Sequence, residues 1–590
     1  MKAILHAKKQ LSFKLKILVF LIIFIALTSL FFSLKFSGTS KDDFPKLHFS
    51  EKIEKPECMP SAGFYSTSVT VKLISSSAHE RIYYTIDGSE PSLASTVYDQ
   101  PFLLENRSAN RNYLSAIPTS PRWKPPIGDV CKGTVLRAIA VDDKNGKSRE
   151  LVSTFFVDDA DKKYTLPVIS ITVNQKDLFG FNKGIYVLGN NYVDKDNYTR
   201  KNLPLDLPWW EFPANYLMRG MDAERDANIE FFEPNGELGF ECKVGLRING
   251  NATRGFAQKS LRVCFRQKYG QATLVYDLFD NKRKAVFSSF ILRNSGNDWD
   301  KTMFRDAFMQ SLMENSFIDI QDYRPSIVFI NGEYWGIHNI RERFDENYLS
   351  HKYHLNVDSI TILELSGKLF QGKKEDEESF SELIDFVKKN DLSDDKNYEL
   401  IKSKIDIRSF TDFIIANVYF CNSDWPNNNV KFWRYDSQAD SLFAKDGRWR
   451  WMLYDTDWGF GYNSLSTPGS NLLDKTTKVG SVGVLFSGLI KNEAFVNEFL
   501  TRFQHHLNTT FSSEATIPKI DEMQRVLDPE MQEHIHRWRA IGSYSAWRSN
   551  VEVMRTFAQQ RPQYQANQLN AFFNLKGDKQ ITLKSSPKAY

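Results

Sequence analysis

Residues 412–462 constrain the fold most strongly, because they begin inside an apolar run that covers residues 410–421. This run leaves too few polar positions for a helix on the surface. We therefore predict a buried helix at the centre of a large core. Turn-forming residues and a proline should end this helix at Asn422-Ser423-Asp424-Trp425-Pro426.

Carboxylate and amide side chains follow the predicted helix in a fixed order. Asp424 and Asn429 share one loop, two β-rich runs follow at residues 430–435 and 448–454, and the second ends in Asp455-Thr456-Asp457-Trp458-Gly459. Protein kinases use an Asp for the substrate hydroxyl, an Asn five residues later for a metal, and a further Asp for metal and nucleotide. The order predicts a phosphotransfer site. The competing interpretation is that these residues cap turns and end a hairpin.

The N-terminus predicts a membrane anchor. Residues 17–34 are apolar except for hydroxyl side chains, and a helix of this length spans about 27 Å, enough for a hydrocarbon core. Five lysines precede it, and bulky residues stand where a signal peptidase would need small ones. We expect the N-terminus in the cytoplasm and the rest of the chain outside. The alternative is a protein secreted after cleavage.

Composition and charge limit the function classes. The chain has 590 residues, of which 42% are hydrophobic, so it can form two or three globular domains. Its 76 basic and 72 acidic residues give a net charge of +4, with no basic patch. We therefore expect no nucleic-acid partner.

The five cysteines have no Cys-x2-Cys spacing, which argues against a zinc site. Cys58 and Cys131 fall within one predicted β-domain and are the favoured disulfide pair if the chain lies outside the cytoplasm. Cys242 and Cys264 are expected on neighbouring strands, either as a second pair or as buried thiols.

Residues 56–157 predict a small antiparallel β-sandwich, because short β-rich runs alternate with turn clusters such as Asp87-Gly-Ser-Glu-Pro. The run YYTIDGSEPS resembles the C-terminal β-sandwich module of chitobiases and hexosaminidases. That resemblance implies glycan or partner binding, whereas the simpler interpretation is a rigid spacer. We expect this module to fold alone and to be dispensable for chemistry.

The larger part of the chain resembles the spore-coat-protein-H (CotH) group of atypical, kinase-like phosphotransferases, over about residues 165–575. The most specific segments are FFEPNGELGFECKVGLRINGNATRGFAQKSLRVCFRQKYG, RNSGNDWDKTMFRDAF, FINGEYWGIHNIRERFDENYL, NSDWPNNNVKFW and RWMLYDTDWGFG. The resemblance implies a secreted or surface protein kinase that uses ATP with Mg²⁺ or Mn²⁺ and acts on Ser or Thr of a protein substrate.

The resemblance also supplies candidate residues on the nucleotide side. A turn with Gly250 and Gly255 precedes a strand that opens with Lys259, although G-x-G-x-x-G is missing. Lys259 and Arg254 match the family, and Glu342 is the favoured carboxylate to position Lys259. The simpler interpretations are that Lys259 is a solvated lysine and that Glu342 forms a surface ion pair with a neighbouring arginine.

The predicted site combines these residues. Asp424 is the predicted catalytic base. The predicted metal ligands are Asn429, Asp455 and Asp457, with Asp455 preferred for the bridging role because of the resemblance at YDTDWGFG. The predicted nucleotide-binding residues are Lys259, Glu342 and Arg254.

The predicted fold class is α+β, with an atypical protein-kinase-like catalytic domain preceded by a small antiparallel β-sandwich and an N-terminal transmembrane helix. The predicted domains are a cytoplasmic basic segment with the anchor (1–36), a stalk (37–55), the sandwich (56–157), the kinase-like domain (165–575) and a polar tail (576–590). A non-catalytic envelope or adhesion protein is the second hypothesis, favoured by the missing glycine loop. A glycan hydrolase is a third, although paired carboxylates here lack a set of sugar-binding aromatics.

Overall fold

The structure is a computed structural model that describes residues 47–157, 164–192, 207–281, 285–436 and 443–583. The predicted anchor at residues 17–34 lies outside these ranges, as do most of the predicted stalk and the end of the tail. Within the described ranges, no helix combines the length and apolarity needed to cross a membrane.

The N-terminal part is a β-sandwich. Its strands are β1 (His48–Phe49), β2 (Glu57–Met59), β3 (Gly63–Tyr65), β4 (Val69–Ile74), β5 (Arg81–Thr85), β6 (Thr96–Val97), β7 (Phe102–Leu104), β8 (Thr134–Val141), β9 (Gly146–Lys147) and β10 (Leu151–Val157). One sheet has the order β1-β9-β8-β10-β3, with β5 also paired to β8 and β6 paired to β5, and the other has the order β2-β4-β7. Alternate residues of β4 point into the core. The pairs β1–β9 and β3–β10 are parallel, so the sandwich is not purely antiparallel.

A closed barrel follows the sandwich. Its strands are β11 (Val168–Val173), β12 (Arg225–Phe232), β13 (Leu238–Asn249), β14 (Ser260–Cys264), β17 (Ser289–Arg293), β18 (Tyr323–Ile330) and β19 (Glu333–Glu342). The strand order is β11-β12-β13-β14-β17-β19-β18, and a parallel β11–β18 pair closes the ring. The predicted turn at Asn331 and Gly332 joins β18 to β19 with positive φ angles of 46° and 82°. A separate hairpin consists of β15 (Leu274–Tyr276) and β16 (Ala285–Phe287).

The C-terminal half combines a small sheet with helices. The sheet has the order β21-β20-β22-β23, from strands β20 (Ile360–Glu364), β21 (Lys368–Gln371), β22 (Lys431–Tyr435) and β23 (Arg450–Met452). The α-helices within the described ranges are α1 (Gln175–Phe179), α2 (Arg305–Ser311), α3 (Glu346–Tyr353), α4 (Lys374–Lys389), α5 (Asp395–Lys404), α6 (Ile407–Phe420), α7 (Leu473–Thr476), α8 (Gly480–Leu489), α9 (Glu493–Leu507), α10 (Ser513–Trp538) and α11 (Tyr544–Phe572). The mixed α+β class with an N-terminal β-sandwich is therefore confirmed.

Helix α6 is the buried helix that the apolar run predicts. Every residue in it except Arg408 is buried, so it packs on all sides. Asp406 caps its N-terminus by accepting hydrogen bonds from the backbone N–H groups of Arg408 and Ser409. Helix α2 begins only at Arg305, because Met303, two residues before it, has a positive φ of 73° that interrupts helical geometry.

The sandwich and the barrel share one hydrophobic core. Leu114, Val130 and Phe156 of the sandwich pack into the same cluster of buried side chains as the barrel strands. The ring of Phe156 lies 4.7 Å from that of Phe329 on β18. These contacts do not support the expectation of a module that is independent of the rest.

The cysteines form no disulfide. The pair favoured by the sequence is wrong, because the thiol of Cys58 hydrogen-bonds Ser153 while Cys131 accepts from Ser108, in a loop that faces the barrel. Cys264 is buried, and burial raises the pKa values of Cys242 and Cys264, as expected for inert thiols.

Candidate active site

The loop after α6 carries Asp424 and is fixed on both sides of it. Cys421 ends the helix in the left-handed conformation, with a φ of 52°. The Nζ of Lys475 donates to the carbonyl oxygens of Ser423 at 3.0 Å and Trp425 at 2.7 Å. Trp425 itself is fully buried. The backbone beside Asp424 is therefore held rigidly, while the Asp424 side chain remains half-buried.

Asp424, Asn429 and Asp455 meet, as their order in the sequence predicts. The carboxylate of Asp424 accepts hydrogen bonds from the side-chain amides of Asn428 at 2.9 Å and Asn429 at 3.0 Å. Asn429 also donates to the carbonyl oxygen of Asp455 at 3.0 Å. Asn429 and Asp455 have positive φ angles of 59° and 54°, a conformation that Asn and Asp tolerate better than most residues. The Asn429 side chain therefore bridges the Asp424 carboxylate and the backbone of Asp455.

The guanidinium of Arg293 lies between the carboxylates of Asp455 and Asp457. Arg293 is the last residue of β17, and its Nη2 is 2.5 Å from Asp455 Oδ1 and 2.9 Å from Asp457 Oδ2. The side chain of Asp455 is 33% exposed, whereas that of Asp457 is 1% exposed. Of the two carboxylates, Asp455 is therefore the one that a ligand from solvent can reach.

Asp457 is held by the segment that follows β17. Asn297 donates its backbone N–H to one carboxylate oxygen at 2.9 Å and its side-chain amide to the other at 3.2 Å. A Cβ atom at Gly296 would lie 2.1 Å from Asp457 Oδ2, so this close approach requires glycine. Burial and the nearby charge of Asp455 raise the pKa of Asp457, and Arg293 opposes them.

A second buried carboxylate, Asp306 on α2, fixes the backbone between the two aspartates. It accepts hydrogen bonds from the N–H of Thr456 at 2.8 Å and from its hydroxyl at 3.0 Å. Arg341 pairs with it at 2.8 Å. Burial alone would raise the pKa of Asp306, but Arg341 and Arg293 hold it well below its usual value. Asp306 is thus an ionised anchor for the segment that bears the site.

Cationic side chains line a cavity of about 390 Å³ between the barrel and the small sheet. Its wall includes Arg262 on β14, Arg343 after β19 and the ring of Phe370 on β21. The Nζ of Lys431 lies 3.6 Å from the centre of that ring. Burial lowers the pKa of Lys431 to about 8. Arg262 pairs with Ile291, two residues before Arg293, so the two arginines project from the same face of the barrel.

Lys259 and Arg254 do not join this site. Lys259 is fully buried, and its Nζ donates to the carbonyl oxygens of Arg254 and Phe256, both at 2.7 Å. The Arg254 guanidinium binds backbone carbonyls, including that of Ile248 at 2.6 Å. The physical reason is the register of the strand. Lys259 lies on the inward face together with Leu261, and only the residues between such positions face outward.

Glu342 does not pair with Lys259. Its carboxylate accepts a hydrogen bond from the backbone N–H of Asp322 at 3.0 Å, and no ion pair joins it to Lys259 among the described residues. Burial and the charge of Asp322 raise the pKa of Glu342. The surface ion pair with a neighbouring arginine does not form either, because Arg341 binds Asp306 and Arg343 binds Asp345.

Sequence reasoning missed Arg293, Asn297 and Lys475. The first two lie in the segment RNSGNDWDKTMFRDAF, whose match to the family was the available signal. Lys475 lies about fifty residues beyond the loop that it supports, and no local pattern marks it.

Two models of known protein families match the chain. Residues 246–565, more than half of the chain, match the model described as CotH kinase protein. The chain belongs to the CotH kinase protein family. Residues 60–154 match the chitobiase/beta-hexosaminidase C-terminal domain, so both resemblances read from the sequence are confirmed. Comparison with curated proteins finds no match.

A divalent cation fits the donor set of this CotH domain. Among the described residues, no group of three or more His, Cys, Asp or Glu side chains could hold a metal, so a ligand set here needs the amide oxygen of Asn429. Carboxylate and amide oxygens are the donors that Mg²⁺ and Mn²⁺ prefer. The Arg293 guanidinium lies between Asp455 and Asp457 and compensates part of their negative charge.

Proposed function

We propose that this CotH-family protein is an extracytoplasmic kinase that transfers the γ-phosphoryl group of ATP to Ser or Thr hydroxyls of a protein substrate. The observation that supports this most directly is the meeting of Asp424, Asn429 and Asp455 beside Arg293. Membership of a kinase-like family supports the same reaction class.

Asp424 is the proposed base. Its carboxylate is half-buried and oriented by Asn428 and Asn429, so a substrate hydroxyl can approach while the carboxylate stays fixed. As the hydroxyl oxygen forms its bond to the γ-phosphorus, the hydroxyl proton passes to Asp424. The bond between the γ-phosphorus and the bridging oxygen of ADP breaks.

Asn429 and Asp455 are the proposed ligands of Mg²⁺ or Mn²⁺, with Asp457 as a further ligand or a supporting group. When bound, the metal ion neutralises phosphate charge and orients the transferred group. Asp306 and Asn297 hold the backbone and side chains of this segment in place. Arg293 is placed to contact phosphate oxygens once Asp455 binds the cation.

Arg262, Arg343 and Lys431 are proposed to contact the phosphates in place of Lys259. Arg262 and Arg343 line the cavity together with Phe370, and Lys431 lies against the ring of Phe370, which offers a surface for stacking a base. Lys259, Arg254 and Glu342 then act on the nucleotide only through the backbone segments that they stabilise.

The location at the membrane rests on the sequence. The apolar length of residues 17–34 and the preceding lysines support a single span with the catalytic domain outside. Protease added to intact cells should remove that domain. Protection of the full chain would contradict the proposal.

The function is tested by calorimetric ATP titration and by transfer from labelled ATP, with and without Mg²⁺ or Mn²⁺. Asp424→Asn should keep metal-dependent ATP binding and lower transfer about a hundredfold, the usual loss for an acid–base group. Asp455→Asn should weaken both binding and transfer. Asp385→Asn, on the exposed surface of α4, is the matched control and should change neither.

Two results would contradict the proposal. Unchanged metal-dependent binding in both Asp455→Asn and Asp457→Asn would remove the metal site from this segment. A protein that binds no nucleotide would instead support the non-catalytic envelope or adhesion role, in which the kinase-like fold is a scaffold.

A further inference from the structure

A long loop of the sandwich packs against the barrel. We call residues 105–133, between β7 and β8, the crossing loop. The carboxylate of Glu333, at the start of β19, accepts the backbone N–H groups of Tyr113, Leu114 and Ser115 at 2.8, 3.0 and 2.7 Å. Three hydrogen bonds to one charged group fix this part of the loop on the barrel.

The middle of the crossing loop supports the segment just before β14. The hydroxyl of Thr119 donates to the carbonyl oxygen of Ala257 at 2.8 Å, and that of Ser120 donates to the carbonyl oxygen of Gly255 at 2.7 Å. Thr119 and Ser120 are 0% and 4% exposed. Because buried carbonyl groups need partners, the loss of these donors leaves two acceptors unsatisfied.

That supported segment in turn contacts the segment that holds Asp457. The ring of Phe256 stacks on Trp299 with 5.7 Å between the ring centres. Asn294 donates its side-chain amide to the carbonyl oxygen of Gln258 at 2.7 Å and accepts from the Ser260 hydroxyl at 2.8 Å. Residues 255–260 and 294–299 therefore form one hydrogen-bonded and stacked unit.

The segment at residues 294–297 needs such support. Ser295 and Gly296 are consecutive residues with positive φ angles of 71° and 63°. A non-glycine residue in that region is strained and persists when its surroundings fix it. This backbone path is what presents the N–H of Asn297 to Asp457.

We propose that Thr119 and Ser120 are positioning residues, through which the N-terminal sandwich holds Asp457 and the adjoining nucleotide site in the reactive geometry. This inference rests on the proposed function for its catalytic consequence. It assigns to the sandwich a part in the chemistry, in contrast to a spacer or a glycan-binding module. The path runs from Thr119 and Ser120 through residues 255–260 and 294–299 to Asp457.

The test uses the full chain with Thr119→Val and Ser120→Ala combined. Amide hydrogen exchange at residues 294–299 should become about tenfold faster, since two buried hydrogen bonds are lost. Metal-dependent ATP affinity should fall by a similar factor. Exchange in β18 should stay close to that of the natural protein. The single variant Ser120→Thr keeps a hydroxyl at this position and leaves Thr119 unchanged. Exchange at residues 294–299 should therefore stay slow in it.

Ser115→Ala is the matched control, because the buried Ser115 hydroxyl has no hydrogen-bond partner among the described residues. It should leave exchange at residues 294–299 unchanged. Equal acceleration in the control, unchanged exchange in the double variant, or uniform acceleration across the barrel would overturn the inference. If the natural protein binds no nucleotide, the proposed function fails by itself, and the exchange data still decide whether the crossing loop positions this segment.

Discussion

Arg293 determines the charge balance of the candidate site. It contacts Asp455 and Asp457 and also lies 3.9 Å from Asp306, so one guanidinium faces three carboxylates. The energy of such an arrangement depends on keeping every buried charge compensated. The same carboxylates that would bind a metal are therefore stabilised by a cation of the protein itself.

Replacing Arg293 with Met should destabilise the protein and make its stability depend on metal. Removing one partner of a buried ion pair costs about 3 kcal/mol or more, because the remaining carboxylates repel one another. Mg²⁺ should recover part of this loss, so its addition should raise the melting temperature of Arg293→Met more than that of the natural protein. Thermal unfolding with and without Mg²⁺ measures the difference. An equal response to metal in both proteins would place the cation site elsewhere.

Strand β14 shows how register decides which cation serves the site. Lys259, just before the strand, points inward with Leu261, and Arg262 points outward beside Arg293. A shift of one residue exchanges the two faces of a strand. The glycine turn and the following strand could be read from the sequence, but the face on which each side chain lies could not.

The two cations should therefore respond differently to substitution. Arg262→Met should weaken ATP binding about tenfold with little effect on stability, since it removes a proposed phosphate contact. Lys259→Met should lower stability by about 1–3 kcal/mol, since two buried carbonyls lose their donor, with a smaller effect on ATP affinity. Urea unfolding and calorimetric titration separate the two effects. The opposite pattern would return Lys259 to the role of phosphate-pairing residue.

Local sequence patterns predicted the structural features that depend on residues near one another in the chain. The helix at Ile407–Phe420 follows from an apolar run, and the Asp424–Asn429–Asp455 cluster follows from an order of residues that leaves few geometries. Contacts between distant parts of the chain were not predictable in this way. Arg293 meets Asp455 across 162 positions, and Glu333 meets the crossing loop across more than two hundred.

The sandwich and the barrel are joined by a buried carboxylate as well as by the crossing loop. Glu230 on β12 accepts hydrogen bonds from the N–H and hydroxyl of Thr154 on β10. Burial raises the pKa of Glu230 to about 7. Because Glu230 lies between the sandwich and the barrel, its ionisation makes the stability of their contact depend on pH.

The free energy of unfolding should fall as pH rises from about 4.5 to about 7. In this window the unfolded chain releases the Glu230 proton before the folded chain does, so ionisation costs the folded state about 3 kcal/mol. Glu230→Gln should remove that slope. Urea unfolding at pH 5 and pH 8 measures it, and Glu382→Gln, on the exposed face of α4, is the control. A slope that persists in Glu230→Gln would assign it to another group.

The parallel β11–β18 pair that closes the barrel has a consequence for biosynthesis. Val168 pairs with Ile327, so one edge of β11 has no partner until the chain has been synthesised past β18. At ordinary synthesis rates this interval lasts on the order of ten seconds or more. An apolar strand with an open edge can pair with another nascent chain during that time. The yield of folded protein therefore depends on how many chains are synthesised at once, and slower expression should favour closure over aggregation.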